Sequence, residues 1–208
     1  MRGLQAEGPG GHGAVNGLDL SVPVGARLLL VTRPEATGTL LLRVLAGLAR
    51  PLAGRISLAG LARSDETPMG WARRVGYVGP NPAIYPWLTP VEALMLAARL
   101  AGMDRHEAAA RVEEVVEQFR LGPNAGRPMT RGGPMVAQKT ALAAALVPEP
   151  EILLLDEPLR SLDPDERTRL LSLRPRRVTV VLASRYPASE AGIVGQVALL
   201  REGRLVMH

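Results

Sequence analysis

The stretch Glu151–Pro164, EILLLDEPLRSLDP, decides how this chain reads. Ile152–Leu155 is a short, solidly apolar run with charge at both ends. That pattern marks a strand buried on both faces, as in a parallel sheet covered by helices. Ligands bind outside the carboxyl ends of such strands, and two carboxylates, Asp156 and Glu157, stand at this one. A carboxylate so placed can hold Mg²⁺ through the ion's waters. The carboxylate after it is positioned to polarise an attacking water.

Outward from this strand the same alternation repeats. NGLDLSVPVGARLLLVT predicts a strand, a turn at Pro23–Gly25 and a buried strand over Arg27–Thr32. RPEATG reads as a loop, and TLLLRVLAGLA as an apolar helix ended near Gly47. PLAGRISLAG and RRVGYVG read as further strands. VEALMLAARLAG, RHEAAARVEEVVEQF and VAQKTALAAALV read as helices. DPDERTRLLSL predicts a helix, VTVVLAS a buried strand, and QVALLREGRLVMH a closing hairpin. Strands alternating with helices imply an α/β fold with a parallel sheet. The span 85–135 is nearly all helix and predicts an inserted helical subdomain within a single domain over 1–208. Residues 1–13, rich in glycine, read as flexible.

Composition narrows the chemistry. The chain has no cysteine and only three histidines, so disulfides, thiol nucleophiles and a histidine metal cluster are not expected. Aromatics make up 3%, too few for a platform that stacks nucleobases, and no nucleic-acid partner is expected. The net charge of +5 is carried by arginine, since Lys139 is the sole lysine. No apolar run approaches the ~20 residues of a membrane-spanning helix. The start, MRGLQAEGPGGHG, has no apolar core and reads as no secretion signal, so the expected compartment is the cytoplasm.

LLLDEPLRSLDP resembles the acidic Walker B strand and D-loop of ATP-binding-cassette (ABC) nucleotide-binding domains. LLLRVLAGLARPLAGRISLAG resembles the helix after that family's phosphate loop and the strand beyond it. RRVGYVGPNPAIYPWLTPVEAL resembles the segment entering the helical subdomain, and VALLREGRLV the terminal hairpin. The resemblance runs from about residue 14 to 206. It implies an ABC-type phosphate-loop NTPase core with an antiparallel N-terminal part. It also implies ATP and Mg²⁺ as cofactors, a permease in the membrane as partner, and a place on the inner face of the cell membrane. In this family Asp156 would serve the metal, Glu157 would act as catalytic base, and Ser161 and Asp163 would face the dimer interface.

Several of the family's nucleotide contacts are altered. The phosphate loop should read GxxxxGK[ST], and the matching residues are Thr32, Arg33, Pro34, Glu35, Ala36, Thr37, Gly38 and Thr39. Gly38 stands where the lysine belongs, and Pro34 removes an N–H donor. Glu35 adds a negative charge, which about 4 Å from a phosphate costs on the order of 4 kcal/mol at an effective dielectric of about 20. Thr37, Gly38 and Thr39 remain as a degenerate phosphate loop whose helix start retains N–H groups for an anion. The LSGGQ signature is matched only loosely by TRGGPMV, with Arg131, Gly132 and Gly133 nearest and two residues too far from Asp156. Pro80 takes the Q-loop glutamine's place, or Asn81 if the loop slips by one. Arg185 takes that of the switch histidine, and arginine is no general base at neutral pH. Residues 1–34 hold no Phe, Tyr or Trp to stack on adenine.

AIYPWLTP gathers Ile84, Tyr85, Trp87 and Leu88 among prolines. In the family this region helps form the groove that receives a helix of the membrane subunit, and Trp and Tyr are favoured anchors in such docking. The alternative is that these rings pack inside the subdomain. The expected function is a degenerate ABC subunit, impaired in ATP binding and hydrolysis, acting as the structural or regulatory half of a transport complex. A second ABC subunit would supply the intact half, making a heterodimer the expected assembly. A working ATPase subunit, and a binding protein with no membrane partner, are the competing readings.

Overall fold

A computed structural model describes residues 1–33, 35–82, 84–172, 178–185 and 194–207. In chain order the elements begin with β1 (Arg2–Glu7), β2 (Ala14–Leu18), β3 (Arg27–Arg33), α1 (Glu35–Leu45), β4 (Ala53–Arg55), β5 (Ser57–Leu58) and β6 (Leu61–Ala62). Then come α2 (Pro68–Arg74), β7 (Val75–Val78), α3 (Pro90–Leu100), α4 (Arg105–Gln118), α5 (Met129–Leu146) and β8 (Ile152–Asp156). The last are α6 (Pro164–Ser172), β9 (Thr179–Ser184), β10 (Gln196–Arg201) and β11 (Arg204–Met207). The chain divides into two compact units, Met1–Tyr77 with Glu151–Glu157 and Arg174–His208, and Val78–Pro150 with Pro158–Leu173. The helical span expected over 85–135 falls inside the second.

The core sheet of the first unit has the strand order β11-β10-β3-β9-β8-β7. Neighbours β10–β3, β3–β9 and β9–β8 are parallel, and β11 closes the edge antiparallel to β10. Leu28, Leu29 and Leu30 on β3 are completely buried, as are Leu154 and Leu200. This is what a run of leucine predicts for a strand covered on both faces. Helix α1 lays Leu41, Leu42, Val44 and Leu45 into that core and leaves Arg43 exposed. Each leucine so buried contributes roughly 1.5–3 kcal/mol.

The N-terminal residues differ from their glycine-rich appearance. Arg2–Glu7 form β1, the middle strand of an antiparallel sheet ordered β2-β1-β4. Leu4 and Ala6 alternate inward with the period of two that marks a half-buried strand, and of the nearby glycines only Gly3 lies within it. Helix α1 also starts at Glu35, earlier than the loop RPEATG suggested.

In the second unit α3 and α4 open with capping boxes, Thr89 with Glu92 and Asp104 with Glu107. Leu94, Val115, Phe119 and Leu121 form the buried centre of this unit. Among the described residues no helix is long and apolar enough to cross a membrane.

Candidate functional site

The residues matched to the phosphate loop, Thr37, Gly38 and Thr39 among them, lie at the start of α1, just after β3. Thr37 is 1% exposed, Gly38 is buried and Thr39 half-buried. A Cβ added to Gly38 would stand 2.6 Å from Thr32 Oγ1, 3.0 Å from Thr32 Cγ2 and 3.3 Å from the Cβ of Ala183. Thr32 is the residue in place of the loop's first glycine. Its side chain therefore fills the room through which a lysine at position 38 would leave the backbone. This is the feature that spacing alone missed. Its signal was present, because a larger residue at 32 accompanies a smaller one at 38. Gly13, from the loop after β1, presses against the same turn. A Cβ there would meet the Ala36 carbonyl group at 2.7 Å and Thr37 N at 2.9 Å. Pro34 and the side chain of Glu35 lie outside the described residues.

Register carries this loop to the acidic strand end. Ala183 on β9 pairs with Asp156 on β8, and Gly38 sits above Ala183. Asp156 is 3% exposed. Tyr77 on β7 has its hydroxyl pushed up to about 12, by burial first and then by the negative charge of Asp156, with Arg43 opposing. It stays a neutral donor throughout the physiological range. Glu157 follows in a left-handed turn, φ 49°, and its own N–H donates to the Ala183 carbonyl. Its Oε1 accepts the backbone N–H of Arg185 at 2.8 Å, with the Arg185 Nε 3.6 Å away. The structure thus brings the candidate base and the residue at the switch position into direct contact. An amide N–H and a guanidinium both face the carboxylate oxygen that would have to take a proton.

The second unit holds the remaining sequence-predicted residues. Pro80 is half-buried. In α5 the glycine pair interrupts the helix. Gly133 has φ 74° and ψ 178°, and Pro134 restarts the helical path as a first-turn residue. Arg131 and Gly133 are exposed, whereas a Cβ on Gly132 would meet the Val136 side chain at 2.9 Å. Ser161 is half-buried. Asp163 is exposed, and its Oδ1 accepts the Glu166 N–H at 2.8 Å, capping the start of α6. Lys139 is 5% exposed, and its Nζ lies 3.1 Å from Glu166 Oε1 and 3.4 Å from the Arg120 carbonyl. Arg169 holds the other Glu166 oxygen at 2.7 Å. The chain's sole lysine is committed to a structural ion pair.

The apolar loop before α3 is split by exposure. Tyr85 is 54% and Trp87 66% exposed, while Ile84 and Leu88 are half-buried. The two rings pack with centroids 5.1 Å apart at an angle of 31°. The Leu88 carbonyl accepts the Met129 N–H and the Pro86 carbonyl that of Thr130, so the backbone of this loop is fixed while its rings face outward.

A parallel sheet with a loop-to-helix turn at one strand end and paired carboxylates at another defines a class of phosphate-loop architecture. A solved structure described as the ATP-binding subunit of an ABC transporter has this fold, with a TM-score of 0.84 over 99% of this chain and 87% of that one at 23% identity. The ABC transporter family model matches residues 15–160. The nickel import ATP-binding protein NikO of Rhodobacter capsulatus is 34% identical over 207 residues, covering 92% of this chain and 81% of NikO. The arginine transport ATP-binding protein ArtP of Escherichia coli K12 is 31% identical over 209 residues, covering 95% and 86%. The chain belongs to the ABC transporter family, among its ATP-binding subunits.

Proposed function

We propose that this chain is a degenerate ATP-binding subunit of a membrane transport complex, impaired in binding and hydrolysing ATP on its own. The observation that carries this reading is the 2.6 Å approach of the Gly38 Cβ position to Thr32 Oγ1. A family phosphate loop clamps polyphosphate with a lysine and with glycines that let backbone N–H groups approach. Here the lysine is absent, its exit path is filled, and the sole lysine of the chain is paired with Glu166. These residues do not fit a triphosphate held in the family manner. Mg²⁺, for which Asp156 and the Thr39 hydroxyl would be the candidate ligands, depends on that phosphate for its place.

The assembly follows from the same losses. A homodimer would repeat the defective loop twice, so the proposed partner is a second ABC subunit with an intact loop. The exposed Tyr85–Trp87 pair is the proposed docking point for a permease subunit, on the cytoplasmic face of a membrane. NikO and ArtP are named for solute transport, and the proposed complex is of that kind. Calorimetry of the purified chain with MgATP tests the reading. Absence of binding up to millimolar MgATP is expected. Micromolar affinity would overturn the reading in favour of a working ATPase subunit.

A further inference from the structure

On the sheet β2-β1-β4 two arginines face each other. Arg2 on β1 is the cross-strand partner of Arg55 on β4, and both are exposed. Partners opposite each other in an antiparallel pair share a face, with Cβ atoms about 4.5–5.5 Å apart, and like charges in that place repel. Among the described residues neither guanidinium has a hydrogen bond or an ion pair. The carboxylate beside them, Asp19, accepts the Gly3 N–H at 2.6 Å through its Oδ1.

The backbone brings this pair together by irregular means. Between the Gln5–Ala53 and Arg2–Arg55 partners, β1 advances three residues where β4 advances two. The extra residue makes a bulge, a device that re-aims a side chain. Without it Arg2 would share the inward parity of Leu4 and Ala6. Gly3, inside the bulge, has φ 56°. Gly54, across from it, has φ 95°, and a Cβ there would stand 2.5 Å from the Gly3 carbonyl oxygen and 2.6 Å from Leu4 Cα. Only glycine permits both that turn and that close approach. Regular pairing of the two strands needs none of these features.

We infer that Arg2 and Arg55 form a clamp for a phosphate monoester group. Each guanidinium offers a planar fork of N–H donors. A carboxylate, with a single charge and two oxygens, is satisfied by one fork. A phosphate monoester carries nearly two charges on three terminal oxygens. It therefore engages both forks and cancels their repulsion. The group belongs either to a soluble metabolite or to a lipid headgroup of the same chemistry. Five residues at about 3.3 Å each put about 15 Å between Arg2 and Glu7, where the loop that presses on Thr37 begins. The clamp thus stands at the opposite end of β1 from the phosphate loop and does not depend on whether the chain handles ATP.

Phenyl phosphate is the probe, followed by phosphorus NMR as the full chain is titrated in. The expected result is saturable one-to-one binding. Arg2→Gln and Arg55→Gln should each weaken it about three- to fivefold, and the double variant about tenfold or more, the scale of exposed ion pairs. Arg73→Gln removes the same charge from an exposed position on α2 and should leave the affinity within about twofold. Affinity should fall several-fold between about pH 7.5 and about pH 5, because the phosphate loses its second charge near pH ~6 while arginine stays charged. Benzoate should bind about threefold more weakly or worse. Without ligand, Arg55→Gln should melt no lower than wild type, since it relieves the repulsion. Phenyl phosphate should raise the Tm of wild type and not that of the double variant. Unchanged affinity in the double variant, an equal loss in Arg73→Gln, equal affinity for benzoate, or no saturable binding would overturn the inference. Vesicles separate the two sources. Capture by phosphatidylcholine with phosphatidic acid, and not with the diester phosphatidylglycerol, assigns the clamp to a lipid monoester, whereas phenyl phosphate binding without capture assigns it to a soluble one.

Discussion

Thr32 and Gly38 are a matched pair: the hydroxyl of one occupies the space that a Cβ on the other would need, at 2.6 Å. The loss of the phosphate-loop lysine is thereby built into the packing of the β3–α1 turn. Thr32 is 4% exposed and cannot swing aside into solvent. Restoring the lysine alone forces an overpacked contact, which costs about 1–3 kcal/mol. Gly38→Lys is therefore expected to lower the Tm by several degrees, at about 2–4 °C per kcal/mol for a chain of this size. It should gain no nucleotide affinity. Adding Thr32→Gly should return the Tm most of the way and, with Glu35→Gly and Thr37→Gly, raise MgATP affinity more than turnover. Thermal melts and calorimetry on the series check this. A stable single variant that binds MgATP would show that the pair is not coupled.

The contact between Glu157 and Arg185 leads to a kinetic expectation. Removing a general base from a working site costs about 100- to 10,000-fold in rate. Glu157 Oε1 already accepts the Arg185 N–H and faces its guanidinium. Glu157→Gln keeps an oxygen for that N–H and removes only a charge. Any residual MgATP hydrolysis by the purified chain should therefore stay within about twofold of wild type, well short of the loss that removing a working base brings. A phosphate-release assay on both proteins, with contaminating ATPases controlled by a second affinity tag, decides it. A loss of a hundredfold would mean that Glu157 does activate water here.

Much of the fold was legible because it rests on simple patterns. Leucine runs gave β3 and β8, and the charge after Leu155 marked the strand end that carries Asp156. What stayed hidden was of two kinds. Strand β1 was masked by the glycines that follow it, since its alternation spans only Leu4 and Ala6. The steric exchange between residues 32 and 38 and the pairing of Lys139 with Glu166 are relations between distant or non-adjacent positions. Motif spacing reports which residue type is missing. It does not report what has moved into the vacated volume.

The Lys139–Glu166–Arg169 cluster sets an acid limit on the second unit. Burial pushes the Glu166 carboxyl up, but hydrogen bonds from Arg169 and Lys139 outweigh it and hold the group below the ordinary glutamate value of 4.5. A lowered folded value means that the unfolded chain binds the proton more readily. The resulting stability is fully present above about pH 4.5 and is lost as pH falls through the lowered value. Glu151, held below 4.5 by its hydrogen bond from Arg74, adds loss of the same sign in the first unit. Lys139→Met should cost about 2–3 kcal/mol at pH 7, less than an isolated buried pair because Arg169 remains on Glu166. It should also flatten the decline in Tm between pH 5 and about pH 3. Melts across that range check both. A Lys139→Met variant as stable as wild type, with the same acid profile, would show that the pair contributes nothing.

The two tryptophans should respond in opposite ways to truncation. Trp71 on α2 is 2% exposed, its Nε1–H donates to the Leu45 carbonyl at 2.9 Å, and the Arg63 guanidinium lies 5.4 Å from its ring centre. Trp71→Ala is expected to cost about 3–5 kcal/mol through the cavity and the orphaned carbonyl. Trp87 is 66% exposed and, among the described rings, touches Tyr85 alone. An exposed ring contact of that kind is worth about 1 kcal/mol at most. Trp87→Ala should therefore melt within a few degrees of wild type, since about 1 kcal/mol corresponds to about 2–4 °C. Stability then leaves a large aromatic side chain on the surface with no structural task, held outward by a loop whose backbone is pinned through Met129 and Thr130. The proposed docking of a permease would supply that task. Co-purification of the tagged chain from its own cells should bring down a membrane subunit with wild type and much less with Trp87→Ala. A large drop in Tm with undiminished complex formation would make Trp87 a core residue and move the docking surface elsewhere.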